Sequence, residues 1–68
     1  MPSTVIRHFQ YDEPTRVLRI EFVSGENYAY SEVPSDVASG LAEAFSKGRY
    51  FARHIRDKYE YRRQPPGE

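Results

Sequence analysis

The sequence predicts an α+β fold in the order β-β-β-α-α, a three-stranded antiparallel meander followed by two helices packed on one face of the sheet. Three observations predict it. The first thirty residues alternate with a period of two and are interrupted by two turn signals, Asp12-Glu13-Pro14-Thr15 and Ser24-Gly25. Val33-Pro34-Ser35 ends that alternation and suits the opening of a helix, because Pro is tolerated in a first helical turn. Beyond it the apolar residues recur at helical spacing, Val37 with Leu41 and then Phe51 with Ile55.

In the first strand Val5, Arg7, Phe9 and Tyr11 share one side, and Ile6, His8 and Gln10 the other. In the second, Leu18, Ile20 and Phe22 form an apolar face opposite Val17, Arg19 and Glu21. The third runs through Asn27, Tyr28, Ala29 and Tyr30. The intervening hairpin leaves two registers open. A two-residue Ser24-Gly25 loop pairs Phe22 with Asn27 and puts Tyr28 and Tyr30 on the face of Arg19 and Glu21, as an exposed stacking platform. A Val23-Ser24-Gly25 turn with a glycine bulge pairs Phe22 with Glu26 and sends both tyrosines under the helices, with Leu18 and Ile20.

The first helix takes its core stripe from Val37, Leu41 and either Ala44 or Phe45. Gly40 inside it costs about 1 kcal/mol relative to Ala and marks close packing against the sheet. Ser46-Lys47-Gly48 breaks the helix, with Gly48 suited to a left-handed C-terminal cap. The second helix is expected from about Arg49 to about Tyr59. One domain over residues 1–63 accounts for the chain, and Gln64-Pro65-Pro66-Gly67-Glu68 is expected to be a frayed tail.

At 68 residues the chain buries only about 60% of its unfolded surface. Its six tyrosines and four phenylalanines are large side chains with which a small core can be filled. Cysteine is absent, so disulfides and thiolate metal sites are excluded. Neither His8 nor His54 has a carboxylate at metal-ligand spacing, and no metal or other cofactor is expected. No segment resembles a secretory leader or reaches membrane-spanning length, which points to a soluble, cytoplasmic protein with no membrane partner. The serines and threonines lack nucleophile signatures. The four glycines are scattered at 25, 40, 48 and 67, which leaves no phosphate loop. Enzymatic activity is the class least favoured.

Charge is distributed unevenly along a chain of zero formal net charge. Between Lys47 and Arg63 lie seven Lys or Arg, opposed only by Asp57 and Glu60, whereas residues 1–46 hold three arginines against seven carboxylates. On a helical wheel Arg49, Arg53 and Arg56 fall in a narrow arc opposite Phe51 and Ile55, with Tyr50 and His54 on its flank. Glu60 extends that arc at a spacing suited to an ion pair with Arg56. Guanidinium groups contact phosphates bidentately and stack on bases, so this stripe is a candidate nucleic-acid surface. The plain alternative is a solvated face whose arginine stems cover core edges. The candidate site therefore comprises Arg49, Tyr50, Arg53 and Arg56, joined by Tyr28 and Tyr30 if the hairpin exposes them.

Several pieces occur in an ordered set: Leu18-x-Ile20-x-Phe22-x-x-Gly25, Tyr28-Ala29-Tyr30, Val33-Pro34, and Ser46-Lys47-Gly48-Arg49-Tyr50-Phe51 followed by His54-Ile55-Arg56. From about Ser3 to Arg63 the chain resembles the KTSC domain, a short module named for the C-terminal region of some lysyl-tRNA synthetases and also found as a free-standing bacterial protein. The synthetase context implies RNA as a ligand, by neighbourhood rather than by motif. One departure is Ala52, where the family pattern leads us to expect Asn. Three readings follow: a module for RNA or single-stranded nucleic acid, a module for an acidic protein partner, and a homodimerisation module.

Overall fold

The computed structural model describes residues 6–64. The elements in chain order are β1 (Ile6–Asp12), β2 (Val17–Phe22), β3 (Asn27–Tyr30), α1 (Ser35–Glu43), α2 (Lys47–His54) and β4 (Tyr61–Gln64). The strands form one antiparallel sheet in the order β1-β2-β3-β4. The α+β class and both helices agree with expectation, but the meander has four strands rather than three. Gln64, assigned above to the tail, is the last residue of β4 and pairs with Asn27.

The hairpin between β2 and β3 decides where the tyrosines go. Phe22 N–H donates to Glu26 O (2.9 Å) and Gly25 N–H donates to Phe22 O (2.8 Å), with Gly25 at φ 97°. This is the three-residue turn with a glycine bulge, and the positive φ is why glycine stands there. Leu18 then faces Tyr30 and Ile20 faces Tyr28. The exposed-platform register is thereby set aside.

In β1 the pairing slips by one residue between Ile6, opposite Phe22, and His8, opposite Glu21, so Arg7 is the extra residue of a bulge. A bulge reverses the alternation beyond it. Ile6 therefore packs toward the core with Phe9 and Tyr11, instead of pointing away with His8 and Gln10. Val5 lies outside the described residues.

The buried centre joins Leu18, Ile20, Phe22 and Tyr30 of the sheet to Val33, Leu41, Phe51 and Ile55 of the helical layer. Tyr11 crosses this layer and its hydroxyl donates to Val33 O (2.6 Å), which ties β1 to the chain entering α1. In α1 the buried residues are Ala38 and Leu41, and Val37 is half-buried. Of the two candidates for the stripe's end, Ala44 is half-buried and Phe45 is fully exposed, because the backbone turns extended at Ala44.

Two helix boundaries differ from expectation. Gly48 lies in the first turn of α2 and does not cap α1. The cap at that junction is Ser46, whose hydroxyl accepts from Arg49 N–H (3.4 Å). At the other end α2 stops at His54, five residues before Tyr59. Asp57 adopts φ 67° and Lys58 N–H donates to Ile55 O (3.0 Å), which closes a turn and redirects the chain into β4.

Candidate nucleic-acid interface

The six residues singled out in the sequence separate into two groups. Arg49 and Arg53 stand one turn apart on the solvent side of α2, both exposed, opposite the buried Phe51. Tyr50 is not a free ring beside them. Its hydroxyl donates to Val37 O (3.0 Å) and its ring lies on His54 with centroids 4.4 Å apart. A Cβ built on Gly40 would sit 2.7 Å from Tyr50 Cζ, so glycine is what admits the ring between the helices. Gly40 thus marks close packing of helix on helix, and not against the sheet. Burial, followed by the Asp36 and Tyr59 charges, pushes the Tyr50 phenol up.

Arg56 follows a different course. Because α2 has ended, its place is set by the Ile55–Lys58 turn and not by helical phase, and it leaves the stripe for the mouth of a cleft. The same change removes the expected pair with Glu60. Among the described residues the ion pairs are Arg7–Glu21 (3.8 Å) and Arg63–Glu26 (3.3 Å).

The cleft has a volume of about 210 Å³. Its floor is Phe22, Phe51 and Tyr30, its walls are Tyr28 and Tyr61, and Arg56, Asp57 and Glu26 stand at its rim. Tyr30 and Tyr61 face each other across β3 and β4, with ring centroids 5.3 Å apart, and Tyr28 meets Tyr61 edge-on at 5.2 Å. Tyr30 is only 4% exposed and also packs edge-on against Phe51 (5.5 Å), so it supports the site without offering a face. Tyr28 is half-buried, its hydroxyl donating to Glu26 Oε1 (3.2 Å). The accessible ring is Tyr61, 55% exposed, which the sequence reading omitted. A signal for it existed: Tyr59-Glu60-Tyr61 repeats the spacing of Tyr28-Ala29-Tyr30.

Tyr28 and Tyr30 hold their protons tightly. Burial above all, then the neighbouring Tyr61, Tyr28 and Asp57, pushes the Tyr30 phenol up to about 12, against a smaller lowering by Arg56. Burial and the Glu26 carboxylate push the Tyr28 phenol up as well. An unfolded chain releases these protons near pH 10. The folded state binds more protons above that pH, so its stability is intact below about pH 10 and is lost as pH rises toward about 12. The expected result is a urea midpoint that falls steeply above pH ~10, with much of the slope removed by Tyr30→Phe. A midpoint unchanged to about pH 11 would contradict the assignment.

A wider hollow of about 340 Å³ is lined by Ser31, Glu32, Lys58, Tyr59 and Glu60. Two carboxylates against one ammonium make it a poor seat for a polyanion. Among the described residues no group of His, Asp and Glu is placed to hold a metal ion, and no helix is long and apolar enough to cross a membrane.

Comparison with known proteins places this geometry. A family model described as the KTSC domain matches residues 2–59. A lysine–tRNA ligase of Nostoc punctiforme is 41% identical over 59 residues, which is 87% of this chain and 10% of the ligase. A second lysine–tRNA ligase, from Trichormus variabilis, is 40% identical with the same coverage. The chain therefore spans about a tenth of the length of these ligases. An uncharacterized protein of Stutzerimonas stutzeri is 41% identical over 51 residues, covering 75% of this chain and 72% of that protein. The crystal structure of a KTSC domain protein from Yersinia pestis superposes with a TM-score of 0.88 at 32% identity, covering 96% of this chain and 92% of that one.

Proposed function

This chain belongs to the KTSC domain family, and from that premise we propose that it is a small binding module, with no catalysis of its own, whose ligand is single-stranded RNA. The observation that carries the reading is the early end of α2. It delivers the Arg56 guanidinium to the mouth of the cleft where the Tyr61 ring is open. An aromatic face beside a guanidinium is the pairing that single strands use, one for the base and one for the phosphate. Arg49 and Arg53 extend the cationic track along α2. Lysine–tRNA ligases that contain a similar segment, and whose name has a tRNA as substrate, add support. The cleft falls below the roughly 300 Å³ of ordinary small-molecule pockets, so it suits one ring system and not a sizeable substrate.

Titration of a fluorescently labelled single-stranded RNA at several salt concentrations tests the proposal. Three phosphate contacts by Arg49, Arg53 and Arg56 give a log–log slope of about −2. Absence of binding at low salt, or binding indifferent to salt, would overturn it.

A protein-interaction or homodimerisation role is the second reading, and Phe45 favours it: a fully exposed aromatic ring on the loop before α2. A single monomeric species in sedimentation at high concentration would remove the homodimer. Failure to retain a stoichiometric acidic protein after nuclease treatment would count against the hetero-complex.

A further inference from the structure

We infer that the cleft selects guanine, and that Asp57 is the residue that selects it; this deepens the single-stranded RNA reading and rests on it. Asp57 is a costly residue where it stands. It is the third residue of the Ile55–Lys58 turn with φ 67°, a left-handed position that glycine takes most freely and that Asn and Asp tolerate. It also puts a negative charge just past the C-terminus of α2, where the helix dipole favours a positive one. Among the described residues its carboxylate makes no ion pair, and it is exposed. The turn accounts for a residue that tolerates a left-handed backbone, but glycine or asparagine would meet that need without the charge.

The cleft has a second carboxylate, and the contrast between the two is informative. Glu26 is engaged on both oxygens, accepting from the Tyr28 hydroxyl on one and from Arg63 on the other. Asp57 is the carboxylate left open at the rim, next in sequence to Arg56. Guanine is the one standard base whose pairing edge carries two adjacent donors, the N1–H and the 2-amino group, beside an acceptor, O6. A carboxylate takes both donors. Adenine and cytosine set a ring acceptor against the carboxylate, and uracil flanks its single N–H with two carbonyls. With the base stacked on Tyr61 and the adjoining phosphate on Arg56, Asp57 is the complement of the two guanine donors.

The probes are a labelled heptauridine and the same RNA with one central G, A or C. The G-containing strand is expected to bind about ten- to a hundredfold more tightly than the others, the discrimination usual for a good bidentate base contact. Asp57→Asn abolishes that preference and, with one negative charge fewer facing the strand, does not weaken the binding of heptauridine. Asp57→Gly melts no lower than the parent. Equal affinity for all four strands, or a preference that survives Asp57→Asn, overturns the selection of guanine while leaving RNA binding intact. A marked fall in melting temperature for Asp57→Gly shows that Asp57 serves the fold, and overturns the inference on that side. If none of the strands binds, the RNA reading falls and takes this inference with it.

Discussion

Replacing Phe51 by Ala is expected to remove about a third or more of the folding stability. Phe51 is 2% exposed and sits between two rings, edge-on to Phe22 at 5.3 Å and to Tyr30 at 5.5 Å. Truncating a buried Phe costs about 3–5 kcal/mol, the lost transfer energy plus the cavity. At roughly 0.05–0.15 kcal/mol per residue, a domain of this size has a total stability of only about 3–10 kcal/mol. The loss is therefore about a third of the margin at least, and all of it at the low end of that range. Urea unfolding followed by circular dichroism gives the answer. A variant within about 1 kcal/mol of the parent would show that the ring does not close the core. It would also mean that the α2 face has been assigned with the wrong rotation.

The double change Arg53→Glu with Arg56→Glu is expected to abolish RNA binding without unfolding the protein. Each reversal removes a phosphate contact and sets a carboxylate against the backbone charge, so affinity at low salt should fall by at least about a hundredfold. Both side chains are exposed and neither takes part in an ion pair among the described residues. The cost to stability is then about 1 kcal/mol, arising from acidic groups near the C-terminus of α2. Wild-type affinity in the double variant would remove RNA as the ligand. Normal folding is what separates this outcome from that of Phe51→Ala.

Most of the scaffold was legible because it rests on local patterns. The apolar face of Leu18, Ile20 and Phe22, the Val33-Pro34 break and the spacing of Phe51 and Ile55 each announce an element. The hairpin register was narrowed to two choices, and tertiary burial selected between them: Tyr30 against Phe51 and Tyr28 against Phe22 gain more than either ring would on a polar face. The end of α2 was not legible, because Phe51, Ile55 and Tyr59 continue a helical spacing across the point where Asp57 turns left-handed. β4 was hidden for a related reason. Tyr61-Arg62-Arg63-Gln64 has no apolar alternation, and what makes it a strand is the free edge of β3, which is a property of the folded chain. The site was half legible. The arginines were visible as charge, but the cleft depends on the turn that frees Arg56 and the strand that presents Tyr61, and Arg49 and Arg53 do not line it.

That fourth strand also bears on how copies of the protein behave in solution. β4 lies beyond residue 59, where the family match ends, and it covers the backbone of Asn27–Tyr30. Without it, a Tyr-Ala-Tyr edge rich in strand propensity would present unpaired N–H and C=O groups to any neighbour, the template from which edge-to-edge aggregates grow. With it, the outermost strand carries Arg62 and Arg63, and like charges hold two such edges apart. A fragment cut at residue 59 would keep its helices and most of its core, yet precipitate at concentrations where the longer chain stays clear. The strand that supplies Tyr61 to the cleft is thus also the one that guards the sheet.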